Sequence, residues 1–186
     1  QYIQDHQKNL TNKLEKPTNY FSSNLLYLGN RALDQLDILP NSNKPTSLFN
    51  IINFTKSSLG RRFLRNALAS PLINADEIKL RHQIIDNIKK QKIDEELGKM
   101  ISNVYDLEKL SRKIDIGIIH PYEFYNFYYS LRQIIEIHDF IPNKIIKKIN
   151  IDTNQFSLLN DLINKIESTF DLDVMMNMNF TNFKET

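Results

Sequence analysis

Apolar residues recur at intervals of three and four along most of the chain, which is the period of an amphipathic helix. The sequence contains only four glycines, and no segment alternates apolar and polar residues strongly enough to predict a sheet. Residues 27–29 suggest at most a short extended stretch, and the helical pattern breaks down from Phe170 onward. The pattern predicts an all-α fold, a multi-helix bundle. The predicted helices cover Tyr2–Leu14, Leu33–Leu39, Leu48–Phe54, Leu59–Leu68, Ile78–Ile88, Asp94–Val104, Leu107–Ile114, Pro121–Ile137, Pro142–Ile149 and Phe156–Ile166.

Capping residues locate the beginnings of several predicted helices. Ser47 precedes one of them, and either Ser57 or Ser58 precedes the next. A serine hydroxyl in that position can accept a hydrogen bond from an amide in the first turn. Asn74, followed three residues later by Glu77, resembles a capping box. These residues predict where the helices start more sharply than apolar spacing does.

Composition limits the classes of function that remain. The net charge is +2, from 24 basic and 22 acidic residues, whereas a domain that wraps DNA is usually far more basic. Any contact with nucleic acid should therefore be local. The chain has no cysteine, which excludes disulfides, thiolate zinc sites and cysteine nucleophiles. No apolar run approaches the roughly 20 residues that span a bilayer, and residues 1–13 do not resemble a secretory signal. We expect an intracellular, reducing compartment and no membrane partner.

No residue pattern marks an active site. Gly60 is followed by Arg61 and Arg62, without the second glycine of a phosphate-binding loop. The four histidines never lie three or four positions apart, so they do not predict a zinc site. Acidic runs such as Asp94–Glu96 are typical of solvated helix ends, and nothing marks the pocket that paired catalytic carboxylates require. We expect no catalytic, cofactor-binding or metal-binding residue in this chain.

Two basic clusters are candidates for contact with DNA phosphates. In the first, Arg61 and Arg65 would share one face of a helix, while Arg62 is rotated away from them. An arginine here can instead pair with a carboxylate such as Glu108, and a solvated face is the simplest interpretation. The second cluster consists of Lys144, Lys147 and Lys148.

Aromatic residues crowd the segment between Tyr122 and Tyr129, so base stacking is one interpretation of this segment. Their spacing of one, three and four positions wraps them around a helix, which favours packing between helices instead. From residue patterns alone, the chain is a helical structural or interaction module without an active site.

The order of several short phrases resembles the core of MutS-type DNA mismatch-repair proteins. Weaker similarities run from Leu28 to Asp173, and the composition most resembles the divergent MutS-like branch of giant viruses and coral mitochondria. Leu59 and Lys109 stand where the family has methionine and arginine, and lysine lacks the bidentate geometry of arginine. Three phrases carry the resemblance: Leu59-Gly60-Arg61, which Arg62 follows in a longer and weaker match, Pro71-Leu72 and Asp106-Leu107-Glu108.

The resemblance implies a core/lever domain over residues 28–170. It places the end of a connector domain and its linker over residues 1–27, and an exit toward a clamp domain over residues 171–186. It implies a structural role for this segment, which would couple an ATPase domain to a DNA clamp, both outside this chain. The parent protein would be a dimer that binds mismatched double-stranded DNA with ATP and magnesium as cofactors. Its compartment would be the cytoplasm or nucleus of a viral host, or a mitochondrion.

Two alternatives stand beside this interpretation. The first is an autonomous helical module that binds nucleic acid through the basic clusters, or binds another protein. The second is a small helical enzyme with a carboxylate or histidine site that sequence spacing does not reveal. A polar pocket would favour the enzyme, and DNA affinity that depends on the basic clusters would favour the autonomous module.

Overall fold

A computed structural model describes residues 24–41, 46–149 and 153–178 of the chain. These ranges contain helices joined by short loops and no strand, although Leu25 and Leu72 form an isolated antiparallel bridge. The predicted all-α fold is confirmed. The helices are α1 (Asn30–Gln35), α2 (Leu48–Ile52), α3 (Ser58–Ala69), α4 (Ala75–Gln91), α5 (Asp94–Ser102), α6 (Leu107–Asp115), α7 (Pro121–Phe140), α8 (Asn143–Ile149), α9 (Thr153–Thr169) and α10 (Leu172–Asn177).

Helix α7 is the centre of the fold, because α5, α6, α9 and α10 all pack against it. Leu131 of α7 forms the core cluster with Ile163 and Ile166 of α9, and each of the three is at most 6% exposed. The predicted packing role of the aromatic segment is confirmed for the three aromatic residues in the surrounding shell. The shell consists of Leu107, Phe124, Phe127, Tyr128, Ile135, Leu159 and Leu172.

Side chains cap the beginnings of several helices. Ser47 and Ser57 each accept a hydrogen bond from the amide three residues later, at 3.2 and 3.1 Å. The sequence offered both Ser57 and Ser58 as the cap of α3, and the structure shows that Ser57 is the cap. Asn74 accepts from two amides of α4, at 2.9 and 3.2 Å. Asp106 and Asp171 cap α6 and α10 in the same way, at 3.2 and 3.1 Å. A cap of this kind typically contributes about 1 kcal/mol.

Some predicted boundaries differ from the structure. Helix α1 starts at Asn30 rather than Leu33, and the residues after Gln35 turn instead of continuing the helix. Residues 27–29 form no strand, but they lie beside the bridge that Leu25 makes. The pattern was expected to break down after Phe170, whereas the chain forms α10 there. The helix predicted over residues 2–14 lies outside the described residues.

The remaining helices pack at the periphery: α8 lies against α4, and α2 lies against α3. Around α1 to α3, large apolar side chains remain accessible, and Phe54 and Tyr27 reach 81% and 74% exposure. The N-terminal part is thus thinly covered compared with the surroundings of α7. Among the described helices, none combines the length and the apolar character needed to cross a membrane.

Candidate functional site

A cluster of ion pairs joins α3 to the beginning of α6. The guanidinium of Arg62 donates from both terminal nitrogens to Asp106, with Nη1 to Oδ2 and Nη2 to Oδ1 each at 2.7 Å. Nη2 also lies 2.8 Å from Oε2 of Glu108. The two parallel contacts with Asp106 match the planar fork of arginine to a carboxylate, a geometry that lysine cannot reproduce. The pairing with Glu108 that the sequence left open is therefore present, and Arg62 is the arginine that makes it.

Asp106 has two structural roles at once. Its Oδ1 atom accepts from Arg62 and, at 3.2 Å, from the amide of Lys109, so the same carboxylate caps α6. The hydrogen bond from Arg62 holds the pKa of the Asp106 carboxyl below its ordinary value, although partial burial opposes this. The same bond raises the pKa of Arg62, which therefore remains charged. The Nε atom of Arg62 is buried and has no hydrogen-bond partner among the described residues.

The loop before α6 is also attached to α7 through Ser130. The hydroxyl of this fully buried serine accepts from the Tyr105 amide at 2.9 Å and donates to the Asn126 carbonyl at 2.8 Å. Both functions of the hydroxyl are used, as burial of a polar group requires. Because Tyr105 directly precedes Asp106, a continuous set of polar contacts runs from α3 through the loop to α7.

The other residues of the resembling phrases have structural positions of their own. Leu107 packs in the shell around the α7–α9 core. The carbonyl of Pro71 accepts a hydrogen bond from the Leu26 amide at 2.8 Å, beside the Leu25–Leu72 bridge. Gly60 lies in the first turn of α3, where an added Cβ would come within 3.3 Å of the Ser57 hydroxyl. The nearest neighbour of an added Cβ at Gly60 is therefore the serine that caps the same helix.

Two further polar contacts attach α7 to its neighbours, and sequence spacing did not reveal either. Lys113 of α6 pairs with Glu123 of α7, which also accepts from the His120 amide at 3.3 Å. Burial would raise the pKa of Glu123, but these two hydrogen bonds outweigh it, so its pKa lies below the ordinary value. Glu123 stands three residues after the helix cap, the position of a capping-box acid, and that signal could have identified its role.

The second contact joins α7 to α9. The Tyr128 hydroxyl donates to Oε1 of Glu167 at 2.7 Å, and Arg132 approaches the same oxygen at 3.4 Å. Burial, and then the neighbouring Glu167 carboxylate, raise the pKa of Tyr128, so the hydroxyl keeps its proton and remains a donor. Helix α7 is thus linked by charged or hydroxyl groups to both α6 and α9.

The candidate phosphate-contacting residues occupy separate helices. Arg61 and Arg65 are exposed on α3, and the guanidinium of Arg61 lies 5.9 Å from the centre of the Phe49 ring. On α8, Lys144 and Lys147 are exposed, whereas the side chain of Lys148 donates to Gln83 of α4 at 2.6 Å. The last lysine therefore has an intramolecular role. That any of these residues meets a phosphate stays a prediction.

The ion pairs of Arg62 hold α3 against the beginning of α6. One guanidinium, that of Arg62, is shared between the two carboxylates of Asp106 and Glu108. Within the three described ranges, no group of three or more acidic or histidine side chains converges as metal ligands would.

Comparison with known proteins identifies the relatives of this chain. The family model for MutS domain III matches residues 31–185. A protein of Acanthamoeba polyphaga mimivirus, described as a DNA mismatch repair protein mutS homolog, is 32% identical over 100% of this chain and 17% of its own length. The DNA mismatch repair protein MutS of Clostridioides difficile is 27% identical over 89% of this chain and 18% of its own. That of Streptococcus agalactiae is 28% identical over 95% of this chain and 20% of its own.

These matches agree with the resemblance that the sequence phrases carried, including its giant-virus branch. They also show that the chain spans a fifth or less of the length of these curated relatives. In these relatives, the part that matches this chain is one segment of a longer protein.

Proposed function

The chain belongs to the MutS domain III family, and we propose that it is a non-catalytic strut of a DNA mismatch-repair protein. In this role it transmits a change of state between an ATPase and a DNA clamp that lie elsewhere in the parent protein. Such transmission requires helices that are fixed to one another and move as a unit. Catalytic residues within the strut are not needed.

The observation that carries the proposal is the bidentate Arg62–Asp106 contact between α3 and α6, extended to α7 through Ser130. A directional contact of this kind fixes one relative position of two helices, whereas apolar packing tolerates small sliding movements. Arg62 and Asp106 belong to the phrases that resemble the family, so the family resemblance and the contact coincide in the same residues.

The first test separates transmission from the activities that it connects. In the parent protein, Arg62→Ala should preserve ATP hydrolysis and DNA binding measured separately, while the change in DNA affinity caused by ATP is reduced. Arg62→Lys should restore little, because lysine keeps the charge without the fork. Lys99→Ala is the matched control, since it removes an exposed ion pair with Glu96. Unchanged coupling in Arg62→Ala would contradict the proposal.

The second test uses the chain alone. A strut should hydrolyse no ATP, and any binding to DNA should be weak and strongly dependent on salt. We propose that ATP and magnesium act in the parent outside this chain, whose sequence has no phosphate-binding loop. Tight, mismatch-selective binding by these residues alone would contradict the assignment. We also propose that the parent is a dimer, that it binds mismatched DNA and that it acts in an intracellular compartment.

A second candidate function is direct contact with DNA phosphates. The exposure of Arg61, Arg65, Lys144 and Lys147 favours it. Charge reversal by Arg61→Glu and Lys147→Glu should then weaken DNA binding and flatten its dependence on salt concentration. Unchanged affinity in both variants would remove this candidate and leave the strut proposal untouched.

A further inference from the structure

A pocket of about 260 Å³ opens where the extended segment before α1 meets α3 and α4. Most sites for drug-sized molecules occupy roughly 300–1,000 Å³, so this pocket suits a group about as large as one amino-acid residue. None of the three residues that form the ion pairs of Arg62 lines it. The residues that define its chemistry are Leu25, Phe63, Asn66, Ser70, Leu72 and Arg81.

Arg81 carries the only charge among the described residues that line the pocket. Its guanidinium lies 5.4 Å from the centre of the Phe63 ring and makes no hydrogen bond or ion pair within the described ranges. Glu77, one turn earlier on α4, has the usual spacing of a partner for an arginine. The Oε1 atom of Glu77 accepts instead from the side-chain amide of Asn24, at 3.0 Å. The pocket therefore presents an unpaired positive charge beside apolar walls.

One wall of the pocket is also the edge of a short antiparallel pairing. The Leu26 amide and the Asn24 carbonyl form hydrogen bonds of 2.8 and 3.0 Å with the backbone of residues 71–73. Leu25 and Leu72, between these bonds, face each other as a pair without hydrogen bonds. The N–H and C=O of Leu25 therefore point away from residues 71–73, and neither has a partner in the described ranges. Such an edge can pair with one more extended strand.

A matching ligand combines an anion, an apolar group and backbone hydrogen-bonding groups within about the volume of one residue. The carboxy-terminal residue of a polypeptide carries all three on one Cα. An internal acidic residue matches less well, because successive side chains of an extended strand point to opposite faces. An aliphatic side chain and its acidic neighbour would then not enter the pocket together. The side chains of Asn66 and Ser70, which have no hydrogen-bond partner in the described ranges, can also donate to a carboxylate.

We propose that this pocket and the edge at Leu25 bind the extended carboxy-terminal segment of a partner protein. The terminal residue, placed opposite Leu25, donates its amide to the Leu25 carbonyl and accepts from the Leu25 amide through its carboxylate. Side chains of directly opposite residues lie on the same face. The terminal aliphatic side chain therefore enters the pocket that the Leu25 side chain lines. Arg81 binds the carboxylate through a charge-assisted hydrogen bond.

The probe is an acetylated pentapeptide, Thr-Val-Thr-Ser-Leu, with a free terminal carboxylate, titrated into the full chain and followed by calorimetry. Its carboxy-terminal amide is the matched control and should bind about tenfold more weakly, because it lacks the charge that Arg81 pairs with. Methylation of the terminal leucine nitrogen should weaken binding about fivefold, because it removes the donor to the Leu25 carbonyl. Isocaproate, which has the carboxylate and the aliphatic group without a peptide backbone, should bind more weakly than the peptide.

Substitutions in the chain separate the pocket from general electrostatic attraction. Arg81→Gln should remove most of the preference for the carboxylate over the amide. Arg65→Gln, which removes an exposed charge from α3 outside the pocket, should leave that preference intact. Ala67→Leu should prevent peptide binding by filling the pocket that Ala67 lines, while leucine preserves the helix as a good helix former. Helical circular dichroism checks that each variant is folded.

No saturable binding of the peptide by a folded chain would overturn the proposal. Equal affinity for the carboxylate and the amide would overturn it as well. If Arg65→Gln reduces the preference as fully as Arg81→Gln, the charge of the chain and not the pocket is responsible. Isocaproate that binds as tightly as the peptide would mean that the pocket takes small acids and that no strand is added at Leu25.

Discussion

Different interactions stabilise two regions of the molecule: the bundle around α7, and the N-terminal part, which is described over residues 24–41 and 46–73. In the bundle, Leu131, Ile163 and Ile166 are almost inaccessible to solvent, and four helices share α7 as a common partner. In the N-terminal part, Phe49 is 2% exposed, but Phe54 and Phe63 are 81% and 60% exposed. Polar contacts that attach that part to later helices include the ion pair between α3 and α6.

The difference assigns two mechanical roles within one chain. Apolar burial is non-directional, and the helices of the bundle share one core around α7. The bundle should therefore unfold as one cooperative unit. Polar contacts such as Arg62 with Asp106, and Asn24 with Glu77 at 3.0 Å, fix position with little buried area. We infer that the N-terminal part detaches at a lower free energy than the bundle requires to unfold. A strut with a rigid body and a releasable attachment suits the transmission of a change of state.

The largest expected effect comes from emptying the core of the bundle. Ile163→Ala should lower the free energy of unfolding by about 3 kcal/mol, because it removes a 2% exposed side chain and leaves a cavity. Leu158→Ala on the same helix is the matched control, since Leu158 is 67% exposed. Urea denaturation of both variants measures the difference. Equal destabilisation would mean that the core does not lie where the structure places it.

An intermediate effect is expected at Asp106, where the cap and the ion pair can be separated. Asp106→Asn keeps a capping acceptor and removes the charge, whereas Asp106→Ala removes both. The alanine variant should be less stable than the asparagine variant by about 1 kcal/mol, the usual contribution of a cap. Hydrogen exchange should show faster opening of α3 in both variants, because both lose the charged partner of Arg62.

Faster exchange confined to α6 would contradict the attachment of α3. Faster exchange across the whole bundle would contradict the separation of the two parts, because loss of this contact should not reach the α7–α9 core. Glu96→Gln, which removes the charge of an exposed pair, provides the reference for a surface substitution.

The sequence predicted the helices better than it predicted the contacts between them. Caps such as Ser47 and Asp106 act locally, so the residues themselves locate the helix starts. Helix α10 was missed because it has six residues and is stabilised by packing on α7, which local spacing does not record. The domain boundary predicted at residue 170 stays a prediction.

The sequence predicted the basic residues of the ion-pair cluster but not which of them forms the ion pair. Three arginines within five residues point to a basic cluster, but only the folded chain shows that Arg62 turns toward α6. The role of Ser130 depends on burial between helices that are distant in sequence, so no pattern reveals it. Leu158 lies in the predicted helix Phe156–Ile166 but is largely exposed, since the face of α9 that meets α7 is centred on Ile163 and Ile166.

A smaller effect is expected from acid. The pKa of Glu123 and that of Asp106 are lowered by folding, so both carboxylates stabilise the folded chain fully above their unfolded values. This stabilisation is lost as pH falls through the folded values, which lie below 4.5 for Glu123 and below 3.8 for Asp106. Urea denaturation at pH 6 and pH 3 should show a decrease that Glu123→Gln reduces. If Glu123→Gln loses as much stability between pH 6 and pH 3 as the unsubstituted chain does, the Glu123 carboxylate is not the source of the pH dependence.

The smallest change in the stability of the chain is expected from a substitution at Phe54. The same substitution tests whether the N-terminal part differs from the bundle as described. Because this side chain is 81% exposed, Phe54→Ser should change the stability of the chain by no more than about 0.5 kcal/mol. Groups of exposed apolar residues often mark surfaces that another part of a larger protein covers, and Leu48, Ile51 and Ile52, which precede Phe54, are also exposed. In the parent protein the same substitution should therefore be more destabilising than in the chain alone, as thermal unfolding of both forms can measure. A large effect in the chain alone would mean that Phe54 packs in the apolar core of the N-terminal part, and an equal small effect in both forms would mean that the parent leaves Phe54 uncovered.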